Sequence, residues 1–133
     1  TAYWLALGES LAEGLGRERT QSGLIGLGNL LVQVAPLFLM CDPGDIRVVC
    51  QIRSPHTHRP TAFLYEFYPG GVGLSERLHR LHRELLAQCL ELVTACPCED
   101  GCPSCVGPVG ETGEGAKLTA ALLLRGMLDD GSR

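Results

Sequence analysis

The chain has 133 residues, of which 45% are apolar and 5% aromatic, and its formal net charge is −4. A chain of this length makes one domain, or two very small ones, and can bury roughly two thirds of its unfolded surface. Its acidic balance, with a pI of about 5.5, excludes a whole-surface electrostatic grip on nucleic acid but leaves room for a local basic face.

Thr1 stands where an initiating Met would, which reads as a piece of a longer polypeptide or a processed product. No basic segment leads into an apolar run, so no signal peptide is expected. The longest apolar stretch, 30–41, is interrupted by Gln33 and Pro36 and is too short for a membrane span. Seven cysteines are an odd number for a disulfide framework. Thiols or metal ligands in a reducing cytoplasm are the expectation.

In chain order, residues 1–7 (TAYWLAL) read as a strand, while 8–23 give no firm assignment. Residues 24–40 carry Leu27, Leu30, Leu31, Val34 and Leu37 on one side, which predicts a mostly buried helix that Pro36 kinks or ends. Residues 41–45 (CDPGD) are a turn by composition. Residues 46–52 and 61–68 read as an antiparallel strand pair around a loop, and Pro69, Gly70 and Gly71 stop the second strand in a type II turn. The clearest helix is 74–95, with a predicted apolar stripe of Leu74, Leu78, Leu81, Leu85, Cys89 and Leu92. After the cysteine cluster, 106–115 read as a loop with little to pack. A closing helix is expected over 116–128, with Leu118, Leu122 and Arg125 to Leu128 in its last turns.

The segment CPCEDGCPSC places Cys96, Cys98, Cys102 and Cys105 within ten residues. Two thiolates two residues apart chelate one ion, and four suit tetrahedral zinc. Gly101 can supply a positive φ for the tight return. An iron–sulfur cluster also takes four cysteines, and two disulfides are a further alternative, set back by strain between cysteines two residues apart. With every ligand position filled, a zinc site here is structural, without room for an activated water. Glu99 and Asp100 add to the negative charge of four thiolates, and the metal is expected to staple helix 74–95 to helix 116–128. Cys41, Cys50 and Cys89 are isolated and read as core thiols.

Other candidates are weaker. Residues 68–76 (YPGGVGLSE) join strand to helix through glycines, as an anion site does, but also as any tight turn does. His56 and His58 alternate in a loop, where a solvated role outweighs metal binding. Arg77, Arg80 and Arg83, with His79 and His82, crowd the polar side of helix 74–95. That pattern is a basic patch for nucleic acid or an ordinary solvated face with Glu76 and Arg80 paired. No Ser-His-Asp set, Cys-His pair or carboxylate pair supports an enzyme.

Three stretches, LFLMCDPGDI (37–46), FLYEFYPGGVGLSERL (63–78) and CPCEDGCPSCVGP (96–108), together resemble the C-terminal zinc-binding domain of MrfA-type (YprA-like) DEAD/DEAH-box helicases. The chain has Tyr65-Glu66 where that family usually has Tyr-Asp, and Gly26 to Asn29 where histidine is frequent. The resemblance implies an accessory domain of an ATP-dependent 3′-to-5′ DNA helicase acting in bacterial DNA repair. By position it implies Cys96, Cys98, Cys102 and Cys105 as ligands of one structural zinc ion per chain. The ATPase motifs themselves lie outside this chain.

The expectation is therefore a single α+β domain over 1–133, with a small antiparallel sheet, about three helices and one four-cysteine knuckle. Its partner is the helicase core of the same polypeptide. DNA is a candidate partner through Arg77, Arg80, Arg83, Gly70 and Gly71, with no membrane and no small-molecule substrate expected. A module docking the helicase onto another protein is the alternative.

Overall fold

The computed structural model describes residues 2–6, 17–39, 46–51, 61–66, 77, 80–102, 104–107, 109–112 and 115–129. In chain order these form strand β1 (Ala2–Ala6), helix α1 (Arg17–Leu39), strands β2 (Ile46–Gln51) and β3 (Thr61–Glu66), helix α2 (His82–Ala95), the single turn α3 (Val109–Thr112) and helix α4 (Ala116–Asp129). The α+β expectation holds, with a sheet one strand larger than the expected pair. The order is β1–β3–β2, antiparallel throughout. Thr61 stands opposite both Ala6 and Gln51, so β3 is the central strand.

Side chains alternate between the faces of a strand. Ile46, Ala62 and Leu64 are buried, with Val48 and Cys50 packed beside them, while Arg47 and Val49 point away and are exposed. The buried face lies against α1, the central element, which also packs on α2 and α4. α1 begins at Arg17, seven residues before the predicted start, and Glu18 in its first turn suits the positive end of the helix dipole. Leu24, Leu27, Leu30, Leu31 and Val34 are buried as predicted. Each fully buried leucine contributes roughly 1.5–3 kcal/mol. Leu37 departs from the prediction and is 73% exposed, because the last turn of α1 turns Pro36 and Phe38 toward the core instead. Pro36 sits inside the helix, three residues before its end, and removes one N–H from the helical ladder without ending it there.

α1 reaches further toward the N-terminus than the expected 24–40 helix. Its 21 residues from Glu18 to Phe38 have a mean hydropathy of 1.2, enough by length and composition alone to cross a membrane. Here that apolarity is spent inside the fold, between the sheet and two helices. Gly23 allows the closest approach. A β-carbon at this position would collide with the Thr119 side chain of α4.

α2 departs from its predicted stripe, and α4 covers a side that the sequence did not single out. α2 buries Leu85, Leu86, Cys89 and Val93, whereas Leu81 and Leu92 are half-buried. α2 is wedged between α1 and α4, and the covered arc is turned toward Leu86 and Val93. A helical turn precedes α2, with the Leu81 N–H donating to the Arg77 carbonyl at 3.0 Å, and Leu81 breaks the regular geometry at φ −99° and ψ 17°. α4 buries Ala116, Ala120, Leu123 and Leu124, and leaves Leu118 and Leu122 outward. Alanines and Thr119 share this covered side with Leu123 and Leu124, since α4 packs on both α1 and α2. Residues 106–115 are not a bare loop either. Val106 and Thr112 are buried, and α3 adds a helical turn. Among the described residues, no buried side-chain nitrogen or oxygen lacks a hydrogen-bond partner.

Candidate metal centre

Cys96 terminates α2. Its N–H still donates to the Leu92 carbonyl at 3.1 Å, but its own backbone is extended, at φ −66° and ψ 129°. Pro97 explains this, because the residue before a proline is driven out of helical geometry. The chain then reverses. Gly101 takes φ +142°, as the sequence suggested, and Gly107 takes φ +100°. Both the Cys105 and the Gly107 N–H donate to the Cys102 carbonyl, at 3.0 and 2.9 Å.

This winding brings the four sulfurs of Cys96, Cys98, Cys102 and Cys105 within 4.8 Å of one another. Cys96 lies 3.5 Å from Cys98 and from Cys102, Cys98 lies 3.5 Å from Cys105, and Cys102 lies 3.8 Å from Cys105. A tetrahedron of thiolates around one zinc ion has edges of ~3.8 Å for Zn–S bonds of ~2.3 Å. Disulfide sulfurs stand at ~2.05 Å, so the set is not paired into cystines. Thiolates on a cubane each ligate a different iron and spread wider than four sharing one ion. The donor set thus fits a single tetrahedral ion.

The environment of the sulfurs is uneven. The Cys98 backbone N–H, followed by thiol contacts to Cys102 and Cys98, draws the Cys96 thiol down to about 7. Burial pushes the Cys105 thiol up to about 12. Glu99 and Asp100 are exposed beside the sulfurs. Four thiolates around one divalent cation would carry a formal charge of −2.

Three side chains outside the cysteine motif reach its backbone. Lys117, in the first turn of α4, donates from Nζ to the Cys96 carbonyl at 2.7 Å and also to the Cys98 carbonyl. From α1, Gln33 Nε2 donates to the Cys105 carbonyl at 2.5 Å, and Asn29 Nδ2 to the Val106 carbonyl at 2.8 Å. Sequence reasoning passed over these roles. The available signals were Asn29 and Gln33 interrupting an apolar helical run, and a cation in a first helical turn, where the dipole disfavours it.

The remaining candidates are placed unevenly. Arg77, Arg80 and Arg83 are all exposed. Arg83 is not simply solvated, because its Nη1 donates to the Leu128 carbonyl near the end of α4 at 3.2 Å. Gly70, Gly71, Cys41, His56 and His58 lie outside the described residues. Cys89 is fully buried, and desolvation pushes its thiol up to about 12. The Cys50 thiol contacts the Leu24 carbonyl at 3.4 Å and is pushed up to about 11 by burial.

Comparison with known proteins places this geometry. The family model described as the MrfA Zn-binding domain matches residues 27–106, more than half of the chain and all four clustered cysteines. The chain belongs to the MrfA Zn-binding domain family. Among curated relatives, the uncharacterized ATP-dependent helicase YprA of Bacillus subtilis is 41% identical over 107 residues, 80% of this chain but 14% of the helicase. An uncharacterized protein of Methanocaldococcus jannaschii is 30% identical over 79 residues, 57% of this chain and 70% of that protein. Among solved structures, the helicase MrfA bound to DNA superposes with a TM-score of 0.82 at 40% identity, over 95% of this chain and 17% of its own. The same helicase bound to DNA and AMPPNP gives a TM-score of 0.71 at 39% identity, over 94% and 15%. The MrfA Zn-binding domain is thus a small part of the helicases that it matches.

Proposed function

We propose that this domain is a zinc-stabilised accessory part of an ATP-dependent DNA helicase, with Cys96, Cys98, Cys102 and Cys105 holding one structural zinc ion per chain. The observation that carries the reading is four thiols at 3.5–3.8 Å in a fold that matches, over 95% of its length, part of a helicase bound to DNA. Zinc, when bound, supplies a cross-link here rather than chemistry, because four protein ligands fill its tetrahedron. The parent polypeptide is read as a 3′-to-5′ helicase acting in bacterial DNA repair in the cytoplasm. Its core is this domain's standing partner.

The role proposed within that machine is to support the C-terminal region and to guide DNA along the exposed basic side at Arg77 and Arg80. Arg83 contributes less, being held at the end of α4. In the full-length helicase, Arg77→Gln with Arg80→Gln should weaken DNA binding and flatten its salt dependence by up to ~2 units of slope. Zinc content and melting temperature should hold. An unchanged slope would leave these arginines a solvated face.

A second reading, a module that docks the helicase onto a partner protein, is favoured by one observation. Leu118 and Leu122 lie one turn apart on α4 and are 61% and 36% exposed. Replacing both by Gln should weaken partner association without moving the DNA salt slope if docking is the main role.

A further inference from the structure

The two halves of the cysteine knuckle are tied to different helices. Lys117 of α4 holds the arm that carries Cys96 and Cys98, by both of its carbonyls. Gln33 and Asn29 of α1 hold the arm that carries Cys105 and Val106. None of these three side chains offers a sulfur or imidazole to a metal. All of their acceptors are backbone oxygens, so the bonds do not depend on an ion being present.

We propose that Lys117, supported by Gln33 and Asn29, is a positioning residue for the metal: the three fix the spacing of the two ligand arms and thereby set zinc affinity. This rests on the zinc reading above. A loop with four thiolates resists closure through mutual repulsion and loss of chain entropy. Arms already held at their bound separation lose less on closing, which is the physical content of preorganisation. The ammonium of Lys117 adds a second effect. It is half-buried, so its attraction to a cluster of formal charge −2 is screened less than at an open surface. Its position in the first turn of α4 opposes the helix dipole, and the two carbonyls together with the nearby thiolates offset that penalty.

Partners of metal ligands typically set affinity by 10–100-fold. The test measures zinc affinity of the chain by competition with a chromogenic chelator, for wild type, Lys117→Met, Gln33→Leu and the control Arg125→Met. Methionine keeps an unbranched stem at 117 and removes the charge and its bonds. Both knuckle variants should bind zinc roughly 10–100-fold more weakly. Arg125→Met, on an exposed position of the same helix, should match wild type. A purely structural Lys117 would instead lower the melting temperature with zinc saturating and leave affinity unchanged. If Lys117→Met does not fold, the Gln33→Leu affinity decides. Variant affinities within about twofold of wild type, with wild type binding one zinc, would overturn the positioning role and leave the zinc reading intact. A wild-type chain that takes up no zinc would overturn both.

Discussion

Cys89 and Cys50 show how one buried group makes stability depend on pH. Their thiols ionise at 9.0 when exposed, but burial raises Cys89 to about 12 and Cys50 to about 11. Above pH 9.0 the unfolded chain releases protons that the folded chain keeps. The contribution is therefore fully present below 9.0 and is lost as pH rises toward these higher values, at ~1.4 kcal/mol per pH unit for each thiol. Urea denaturation across this alkaline range should show falling stability, and Cys89→Ala should shed part of the slope. An identical slope in that variant would mean that Cys89 ionises freely. Gly107 gives a second residue-level test. It combines φ +100° with a neighbour, Asn29 Nδ2, only 2.7 Å from where a β-carbon would stand. Gly107→Ala should destabilise the fold by about 1–3 kcal/mol and weaken zinc retention, read from thermal melting and metal analysis. The four clustered cysteines were legible in the sequence because their grouping is local. The cage around them was not, since Asn29 and its acceptor Val106 are 77 residues apart.

Element by element, the sequence showed which segments would fold as helices and strands more clearly than which sides they would bury. A stripe read from one helix assumes one packing partner, and α2 has two. That is why Leu86 and Val93 replace Leu92 on its covered side. Leu86→Ala should cost about 2–5 kcal/mol in a denaturation experiment, and Leu92→Ala clearly less. Equal losses would restore the simple stripe. On α4 the sequence singled out no covered side, and alanines, Thr119, Leu123 and Leu124 fill the space where it meets α1 and α2, leaving Leu118 and Leu122 outward. Strands were easier. Branched residues over 46–52 and the sharp stop after 61–68 located β2 and β3, while the pairing of β1 with β3 needed long-range register that no local pattern contains.

At the scale of the whole molecule, the knuckle bonds to α1 as well as α4, so metal removal should be felt well beyond 96–128. Metal binding free energy becomes folding free energy wherever the bound loop braces other elements. Chelation should raise amide hydrogen exchange in α1 along with the knuckle and α4, and Cys102→Ser should reproduce the pattern. Exchange confined to the loop would show that the brace is local. Purified protein should be colourless and carry zinc, whereas visible absorbance with stoichiometric iron would reject the assignment. The strand order has a different consequence, for synthesis. β1 is made first, yet its partner β3 begins 55 residues after β1 ends, at Thr61. During translation the first strand stays unpaired while the apolar α1 emerges behind it, with the sheet that covers one side of α1 still unmade. A pause that separates β3 from the exit tunnel would lengthen exposure of that helix and favour capture by chaperones.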